Sequence, residues 1–135
     1  MFKVKVKDFD LKNTFENGQC FRFNPYKGGY LGIALGEVIY LEKTGRADLW
    51  IDGVDAAIFD RKFVPYFDLQ ADYSRIAASF PQEENLRRAL EYGRGMRILR
   101  QDPWETLLSF VISQNNHIGR IKAIVERLCS RYGSP

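Results

Sequence analysis

The side chains with the greatest capacity for recognition chemistry lie close together between residues 113 and 120. A polar run, Ser113-Gln114-Asn115-Asn116-His117, is followed within one helical turn by Arg120. Amide side chains donate and accept hydrogen bonds, whereas a guanidinium only donates, so Arg120 suits a partner that presents acceptors, such as a base edge. The run also fits an ordinary helix connector, with Asn115 as a turn or capping residue, Arg120 on an exposed helical surface and His117 as a surface or capping residue.

Residues that commonly hold metals are scarce. His117 is the single histidine, and the two cysteines, Cys20 and Cys129, have none of the close spacing of zinc ligands. We therefore predict neither a metal site nor a cofactor. We interpret both cysteines as free thiols in a reducing compartment.

Two predicted helices position the polar run. Asp102 is a favourable N-cap, Pro103 suits the first helical position, and Glu105 completes a capping-box pattern. The apolar residues that follow have the spacing of one buried helical face: Trp104, Leu107, Leu108, Val111 and Ile112. We assign Trp104 to the core. The second helix, predicted to be capped by Asn116 and to end at Gly133, has its own apolar stripe: Ile118, Ile121, Val125 and Leu128.

The first half of the chain has strand periodicity. Apolar residues alternate with lysines from Phe2 to Lys7, and turn signals such as Asn17-Gly18 and Gly36-Glu37 separate the short segments that follow. Close spacing favours antiparallel pairing. After the N-terminal strand, the predicted strands cover residues 19–23, 30–35, 38–43 and 48–52.

Residues 55–93 have helical patterns instead. A short helix is predicted for residues 56–64 before Pro65, and a second helix follows Asp72 as its N-cap. A third helix is predicted to end near Gly93. The predicted fold class is α+β: an antiparallel sheet of about five strands with helices, followed by the helix pair.

Positive charge is concentrated in the C-terminal third. The net charge is +3, but residues 94–135 have seven Lys or Arg against three acidic residues. This excess suits a surface that faces phosphates, although a solvated helix face would have the same composition. No apolar run approaches the roughly 20 residues that span a membrane, and no signal-peptide pattern is visible. We predict a cytoplasmic protein, nucleoid-associated in a prokaryote, without a membrane partner.

Separated segments of the chain resemble one enzyme family. They are similar, in the same order, to bifunctional 8-oxoguanine DNA glycosylase/AP lyases of the helix-hairpin-helix superfamily: Asn17–Phe23, Leu99–Pro103, Asn115-Asn116, Ile118–Ile121 and Val125–Cys129. Cys20, Phe23 and His117 replace the family's usual Ser, Trp and Asn. The resemblance covers most of the chain, but about the first half of a typical member. Within the upstream segment, we predict that Gln19, Phe21 and Arg22 serve mainly the fold.

The resemblance implies how the chain is divided. Residues 1–96 would form the N-terminal α+β domain, like one repeat of the TATA-box-binding protein fold. Residues 97–135 would begin the helical glycosylase core and be truncated before its helix-hairpin-helix loop. The family's Gly-Val-Gly-x-Lys pattern, with its nucleophilic Lys, and the Asp beyond it have no counterpart here. We therefore expect no catalytic residue in this chain. It would be an inactive portion of a DNA N-glycosylase with AP lyase activity.

The resemblance also implies recognition roles for five residues. The backbone carbonyl of Gly18 would read the flipped base, because 8-oxoguanine has a hydrogen on N7 where guanine has a lone pair. Asn115 would fill the gap left in the duplex and contact the widowed cytosine, whose acceptors Arg120 would bind. Asn116 and His117 are further candidates for DNA contact. The expected partner is double-stranded DNA containing 8-oxoguanine opposite cytosine.

Three interpretations remain open at this point. The chain could be this glycosylase fragment, or a complete small nucleic-acid-binding protein that keeps the wedge without catalysis. It could also be an interaction module, in which the polar junction is an ordinary loop and Gly18 is a turn glycine. Because a truncated chain would expose the face that a missing half covers, we also expect self-association.

Overall fold

The computed structural model of the protein describes residues 1–133 and has the predicted α+β fold. Its five strands are β1 (Phe2–Lys5), β2 (Phe23–Tyr26), β3 (Gly29–Ala34), β4 (Glu37–Thr44) and β5 (Asp48–Asp52). They form one antiparallel sheet in the order β1-β5-β4-β3-β2, so the first strand pairs with the last. The helices are α1 (Leu11–Phe15), α2 (Ala56–Ile58), α3 (Val64–Tyr66), α4 (Tyr73–Ala78), α5 (Glu84–Tyr92), α6 (Pro103–Ser113) and α7 (Ile118–Tyr132).

A two-residue turn joins β3 to β4. Leu35 and Gly36 have φ angles of 55° and 77°, the left-handed pair that a tight hairpin requires. The predicted turn lay one residue later, but Glu37 already pairs with Ala34 and belongs to β4. The hairpin is confirmed, and its turn is shifted because Leu35 adopts a conformation that its residue type does not signal.

The strand predicted for residues 19–23 is wrong. β2 begins at Phe23 and passes through Pro25, which is tolerated because β2 lies at the edge of the sheet. The residues before β2 form an irregular loop whose polar groups bond to a distant segment. Sequence analysis also missed α1, a five-residue helix whose N-cap, Asp10, accepts a hydrogen bond from the Asn13 N–H at 2.7 Å.

Aromatic side chains fill the space between the sheet and the helices. The Phe15 and Phe23 rings stack with 4.2 Å between their centroids and 6° between their planes, and Phe67 meets both rings edge-on. Gly32 in β3 makes room for this stack, because a Cβ there would lie 2.1 Å from the Phe23 ring. Buried aliphatic residues of the central strands complete the core: Ile39, Leu41, Leu49 and Ile51.

The helix predicted for residues 56–64 continues past Pro65. A π-helical turn, Phe59–Phe63, joins α2 to α3, and the run ends at Tyr66. Because Pro65 has no N–H, a carbonyl one turn earlier lacks its helical partner, and the wider π turn lies at this place. Phe59 and Phe63 are buried in the core, so this run forms the helical layer over the sheet.

The predicted helix caps are confirmed at four positions. Asp72 accepts a hydrogen bond from the Arg75 N–H at 3.0 Å at the start of α4. Asp102 accepts from the N–H groups of Trp104 and Glu105 at 2.9 and 3.0 Å at the start of α6. Gly93 is the C-cap of α5, and Gly133 is the C-cap of α7. Local capping chemistry therefore sets most of the helix bounds.

Arg97 ties three distant segments together. Its side chain is buried, and its guanidinium donates to four backbone carbonyls. Nε bonds to Asp8 at 2.7 Å, Nη2 to Lys7 at 2.7 Å, and Nη1 to Asp68 and Ala71 at 2.9 and 3.0 Å. Burial lowers the pKa of Arg97 from its ordinary value, and nearby acidic residues oppose that shift. One buried cation therefore joins the end of β1 to the turn after α3.

α6 and α7 form a second, smaller packed unit. Its buried residues are Phe21, from the loop before β2, and Ile121 and Val125 of α7. The buried face predicted for α6 is wrong, because no residue of α6 is buried and Trp104 is 66% exposed. The apolar stripe is present, but residues 1–133 do not cover it. Self-association through this face stays a prediction, as does the domain boundary at residue 96.

The helices carry no membrane-spanning segment within residues 1–133, since none is both long and apolar enough.

We expect Arg97→Met to lower the free energy of unfolding by roughly 3–5 kcal/mol, because the variant loses a buried guanidinium and its hydrogen bonds to four partly buried carbonyls. Urea denaturation followed by circular dichroism would measure this change. The matched control is Arg46→Met, which removes an exposed arginine from the turn between β4 and β5 and should change stability by less than about 0.5 kcal/mol. A loss below about 1 kcal/mol for Arg97→Met would contradict the role assigned to the guanidinium.

Candidate nucleic-acid interface

The polar run forms a tight, exposed turn between α6 and α7. Asn116 fixes the turn from within, because Nδ2 donates to the carbonyls of Ile112 at 2.7 Å and Gln114 at 3.2 Å. Asn115 lies at the tip with a φ of 58°, in the left-handed region that Asn tolerates better than most residues. Its side chain is exposed and has no hydrogen bond within residues 1–133, so its amide is available to a partner.

His117 caps α7. Its Nδ1 accepts a hydrogen bond from the Arg120 N–H at 3.3 Å, which confirms the prediction that His117 is a capping residue. The prediction that Asn116 caps α7 is wrong, because its amide bonds back to the end of α6. With Nδ1 as the acceptor, the ring proton lies on Nε2, and a ring N–H donor remains at the start of α7.

Arg120 lies exposed in the first turn of α7. Within residues 1–133 no carboxylate pairs with it. Five other basic side chains do have carboxylate partners within 4 Å: Lys5, Arg22, Lys62, Arg87 and Arg100. The donors of Arg120 are therefore available, and the backbone N–H groups at the start of the helix add positive potential around them.

Gly18 lies beside this junction. A Cβ built on Gly18 would lie 3.6 Å from Cδ1 of Ile118, the first residue of α7. The φ of Gly18 is 89°, so a glycine suits the position for its conformation, and a side chain here would add contact with Ile118. Within residues 1–133 no donor bonds to the Gly18 carbonyl. The structure thus places Gly18 against the first residue of α7, the helix that carries Arg120, and Asn115 lies at the tip of the turn before that helix, with Asn116 and His117 supporting the turn.

The loop between Gly18 and β2 contacts both packed units. Phe21 inserts into the core of the helix pair, and Arg22 Nη1 lies 3.9 Å from Glu105 Oε2 of α6. Burial raises the pKa of Glu105 above its ordinary value, and Arg22 opposes that shift. The Gln19 side chain bonds to the backbone of residues 97 and 99. These contacts agree with the predicted structural role of all three loop residues.

Lys122 is a link that the sequence did not indicate. Its Nζ donates to the Phe23 carbonyl at 3.1 Å and to Asn24 Oδ1 at 3.0 Å, which joins α7 to the edge strand β2. In the sequence, Lys122 contributes only one positive charge to a basic segment, and no local pattern distinguishes it from an exposed lysine. No cluster of three or more potential metal ligands occurs in residues 1–133.

The comparison with protein families decides how this geometry is classified. A family model described as the N-terminal domain of 8-oxoguanine DNA glycosylase matches residues 1–107. The chain belongs to this family. The match includes the whole sheet, the loop that carries Gly18, and the start of α6.

Known relatives agree with the classification of this chain as an 8-oxoguanine DNA glycosylase N-terminal domain. An N-glycosylase/DNA lyase of Saccharomyces cerevisiae is 54% identical over 41 residues, which are 30% of this chain and 11% of the yeast protein. The structure of MBOgg1 in complex with a low-affinity DNA ligand has a TM-score of 0.93 and 43% identity, covering 98% of this chain. The Clostridium acetobutylicum 8-oxoguanine glycosylase/lyase, in complex with double-stranded DNA containing cytosine opposite 8-oxoguanine, has a TM-score of 0.80 and 38% identity over 90% of this chain.

The chain spans about half or less of the relatives that it matches. It covers 46% of the MBOgg1 chain and 45% of the Clostridium chain. The similarity therefore confirms the fold and the assignment to the N-terminal part of such a protein.

The two cysteines should differ in reactivity at pH 8. Burial raises the pKa of Cys20 to about 12, so almost none of its thiolate is present, whereas Cys129 is only partly buried. Ellman's reagent should therefore modify one thiol in the folded chain and two after unfolding in guanidinium chloride. Cys129→Ser is the informative control, since the folded variant should show no fast reaction. Rapid modification of Cys20 in that variant would contradict its burial.

Proposed function

We propose that this chain is the part of a DNA glycosylase/lyase that recognises 8-oxoguanine opposite cytosine in double-stranded DNA. The observation that carries this proposal is the close approach of Gly18 to the start of α7, where a Cβ built on Gly18 would lie 3.6 Å from Cδ1 of Ile118. The carbonyl that would read an extruded base thus belongs to a residue next to the helix that carries Arg120 and follows the turn with Asn115 at its tip. The similarity to a glycosylase in complex with 8-oxoguanine DNA supports the same assignment.

The Gly18 carbonyl would select the damaged base. The N7–H of 8-oxoguanine can donate to this oxygen, whereas the N7 lone pair of guanine would be repelled by it. One such contact accounts for about 1–3 kcal/mol of discrimination. The positive φ of Gly18 and the lack of a Cβ allow the backbone to approach the base closely.

The turn between α6 and α7 would recognise the opposite strand. Asn115 would occupy the space that the base leaves, which offsets part of the cost of unstacking, a few kcal/mol. Arg120 would donate to O2 and N3 of the widowed cytosine, both of which are acceptors. Of the two further candidates, His117 keeps a ring N–H donor for DNA. Both hydrogen bonds recorded for the Asn116 side chain are to the turn's own backbone, so Asn116 would act by holding the turn.

The chemical step would depend on residues outside this chain. Excision with strand cleavage needs an amine that attacks C1′ of the sugar, expels the base and forms a Schiff base. Lys122, the lysine nearest to the junction in sequence, has its Nζ held by Phe23 and Asn24. We therefore assign recognition to this chain, and the nucleophilic Lys and the Asp that assists it to the remainder of a full-length enzyme.

Asn115→Gly should separate DNA binding from stability. Glycine accepts the φ of 58° without strain, so the free energy of unfolding should stay the same or rise by up to about 1 kcal/mol. Loss of the wedge should weaken binding to an 8-oxoguanine:cytosine duplex by about tenfold, or 1.4 kcal/mol. Fluorescence anisotropy with the full-length glycosylase that carries this chain would measure the affinity.

A matched control is available at a second left-handed position. Lys27→Gly changes a residue with a φ of 44° that lies in the turn between β2 and β3, outside the junction, and it should leave affinity nearly unchanged. Equal losses for the two variants, or none for Asn115→Gly, would contradict the proposed wedge.

Borohydride trapping tests the division between recognition and chemistry. On an 8-oxoguanine:cytosine duplex, the full-length protein should form a covalent adduct and the 135-residue chain should form none. Adduct formation by the chain alone would mean that one of its own amines is the nucleophile. If the full-length protein binds the duplex but gives no adduct, the alternative of a non-catalytic nucleic-acid-binding module would replace an enzyme.

A further inference from the structure

Gln19 has an unusually complete set of hydrogen bonds. Its Nε2 donates to the carbonyls of Thr14 at 2.9 Å and Arg97 at 2.8 Å, which uses both amide hydrogens. Its Oε1 accepts from the Leu99 N–H at 3.0 Å. Its own backbone carbonyl accepts a hydrogen bond from Gln101 Nε2. One residue of the loop is therefore bonded to α1 on one side and to residues 97–101 on the other.

Because Gln19 directly follows Gly18, its hydrogen bonds affect the direction of the Gly18 carbonyl. The carbonyl of Gly18 and the N–H of Gln19 belong to the same planar peptide group. Glycine can rotate about its backbone bonds at little cost, so Gly18 by itself does not fix the direction of its carbonyl. Hydrogen-bond strength falls steeply with poor alignment, so a carbonyl that reads a base needs an external anchor.

We propose that Gln19 is a positioning residue that holds the Gly18 carbonyl in its base-reading direction. This inference rests on the proposed function of Gly18. Gln19 reaches neither the base nor the sugar in this mechanism. It acts by fixing its own Cα and side chain against the backbone of Thr14, Arg97 and Leu99, which leaves the Gly18–Gln19 peptide a single orientation.

The opposite-strand residues have a separate anchor. α7, which carries Arg120, is joined to the sheet edge by the bonds of Lys122 Nζ to Phe23 and Asn24 and by the packing of Phe21. Gln19 makes none of these contacts. Selection of the damaged base and selection of the opposite base should therefore respond to different substitutions.

The test is Gln19→Met in the full-length glycosylase that carries this chain. Methionine has a similar length but cannot make the three side-chain hydrogen bonds. Equilibrium binding would be measured with 8-oxoguanine:cytosine, guanine:cytosine and 8-oxoguanine:adenine duplexes, whose 2′-fluorinated sugars slow excision. We expect the preference for 8-oxoguanine over guanine to fall about tenfold while the preference for cytosine over adenine stays within about twofold. Arg120→Met should have the reverse pattern.

Two variants separate positioning from simple loss of stability. Ile51→Val shortens a fully buried side chain in β5, far from the loop, and should lower stability without changing either preference. Gln101→Met removes one bond to the Gln19 carbonyl and leaves the Gln19 amide in place, so a smaller loss of base selectivity is expected even where Gln19→Met fails to fold.

The outcomes are distinct. If the wild-type protein prefers 8-oxoguanine and both glutamine variants keep that preference, the positioning role is overturned while the proposed function stands. If Ile51→Val loses selectivity as well, the effect follows from instability, and the role is again overturned. A wild-type protein without any preference for 8-oxoguanine overturns the proposed function, and the role of Gln19 with it.

Discussion

The structure depends on a buried arginine that is satisfied by backbone carbonyls instead of a carboxylate. Two of those carbonyls belong to Asp8 and Asp68, which have positive φ angles of 48° and 51°. Left-handed residues outside helices and hairpins are costly, and here the guanidinium of Arg97 binds the carbonyls that they present. Tyr73 completes the enclosure, with its ring 4.3 Å from the guanidinium carbon. The Tyr73 hydroxyl also bonds to Asp68 Oδ2 and accepts from the Ile98 N–H, so the two turns and the segment after α5 form one connected unit.

The same segment organises the candidate interface. The guanidinium of Arg97 faces the sheet domain, while its backbone carbonyl accepts from Gln19, the residue after Gly18. Two residues later, the Leu99 side chain is buried in the main core and its N–H binds Gln19 again. The stability of the sheet and its covering helices and the geometry of the loop that carries Gly18 thus have a common support. A site built on such a support is held more rigidly than an ordinary surface loop would be.

Sequence analysis succeeded where the structural signal is local. Alternating residues identified β1, turn residues and apolar runs identified β3 to β5, and the side chains of Asp72 and Asp102 gave the starts of two helices.

Sequence analysis failed where distant contacts decide the structure. The segment from Gln19 to Phe23 has strand-forming residues, but its polar groups are used by residues 97–101. The apolar stripe of α6 predicts a buried face, yet its burial needs a partner surface that residues 1–133 do not supply. Arg97 and Lys122 are of residue types that usually lie in solvent. Only the fold buries Arg97 and lets Lys122 join α7 to β2. The site residues Gly18, Asn115 and Arg120 came from family resemblance, because a turn glycine, a loop asparagine and a helical arginine are individually ordinary.

The sequence distance between Arg97 and its acceptors has a consequence for biosynthesis. The hydrogen bond from Arg97 to Asp8 spans 89 residues, and the one to Lys7 spans 90. At translation rates of about 5–20 residues per second, Lys7 and Asp8 leave the ribosome several seconds before the guanidinium that binds them. By the end of that interval all five strands have been synthesised, but until Arg97 emerges the carbonyls of Lys7 and Asp8, just after β1, lack this donor, and so do those of the turn after α3. The sheet and its covering helices can therefore reach their final form only after Arg97 has emerged, a few residues before the start of α6.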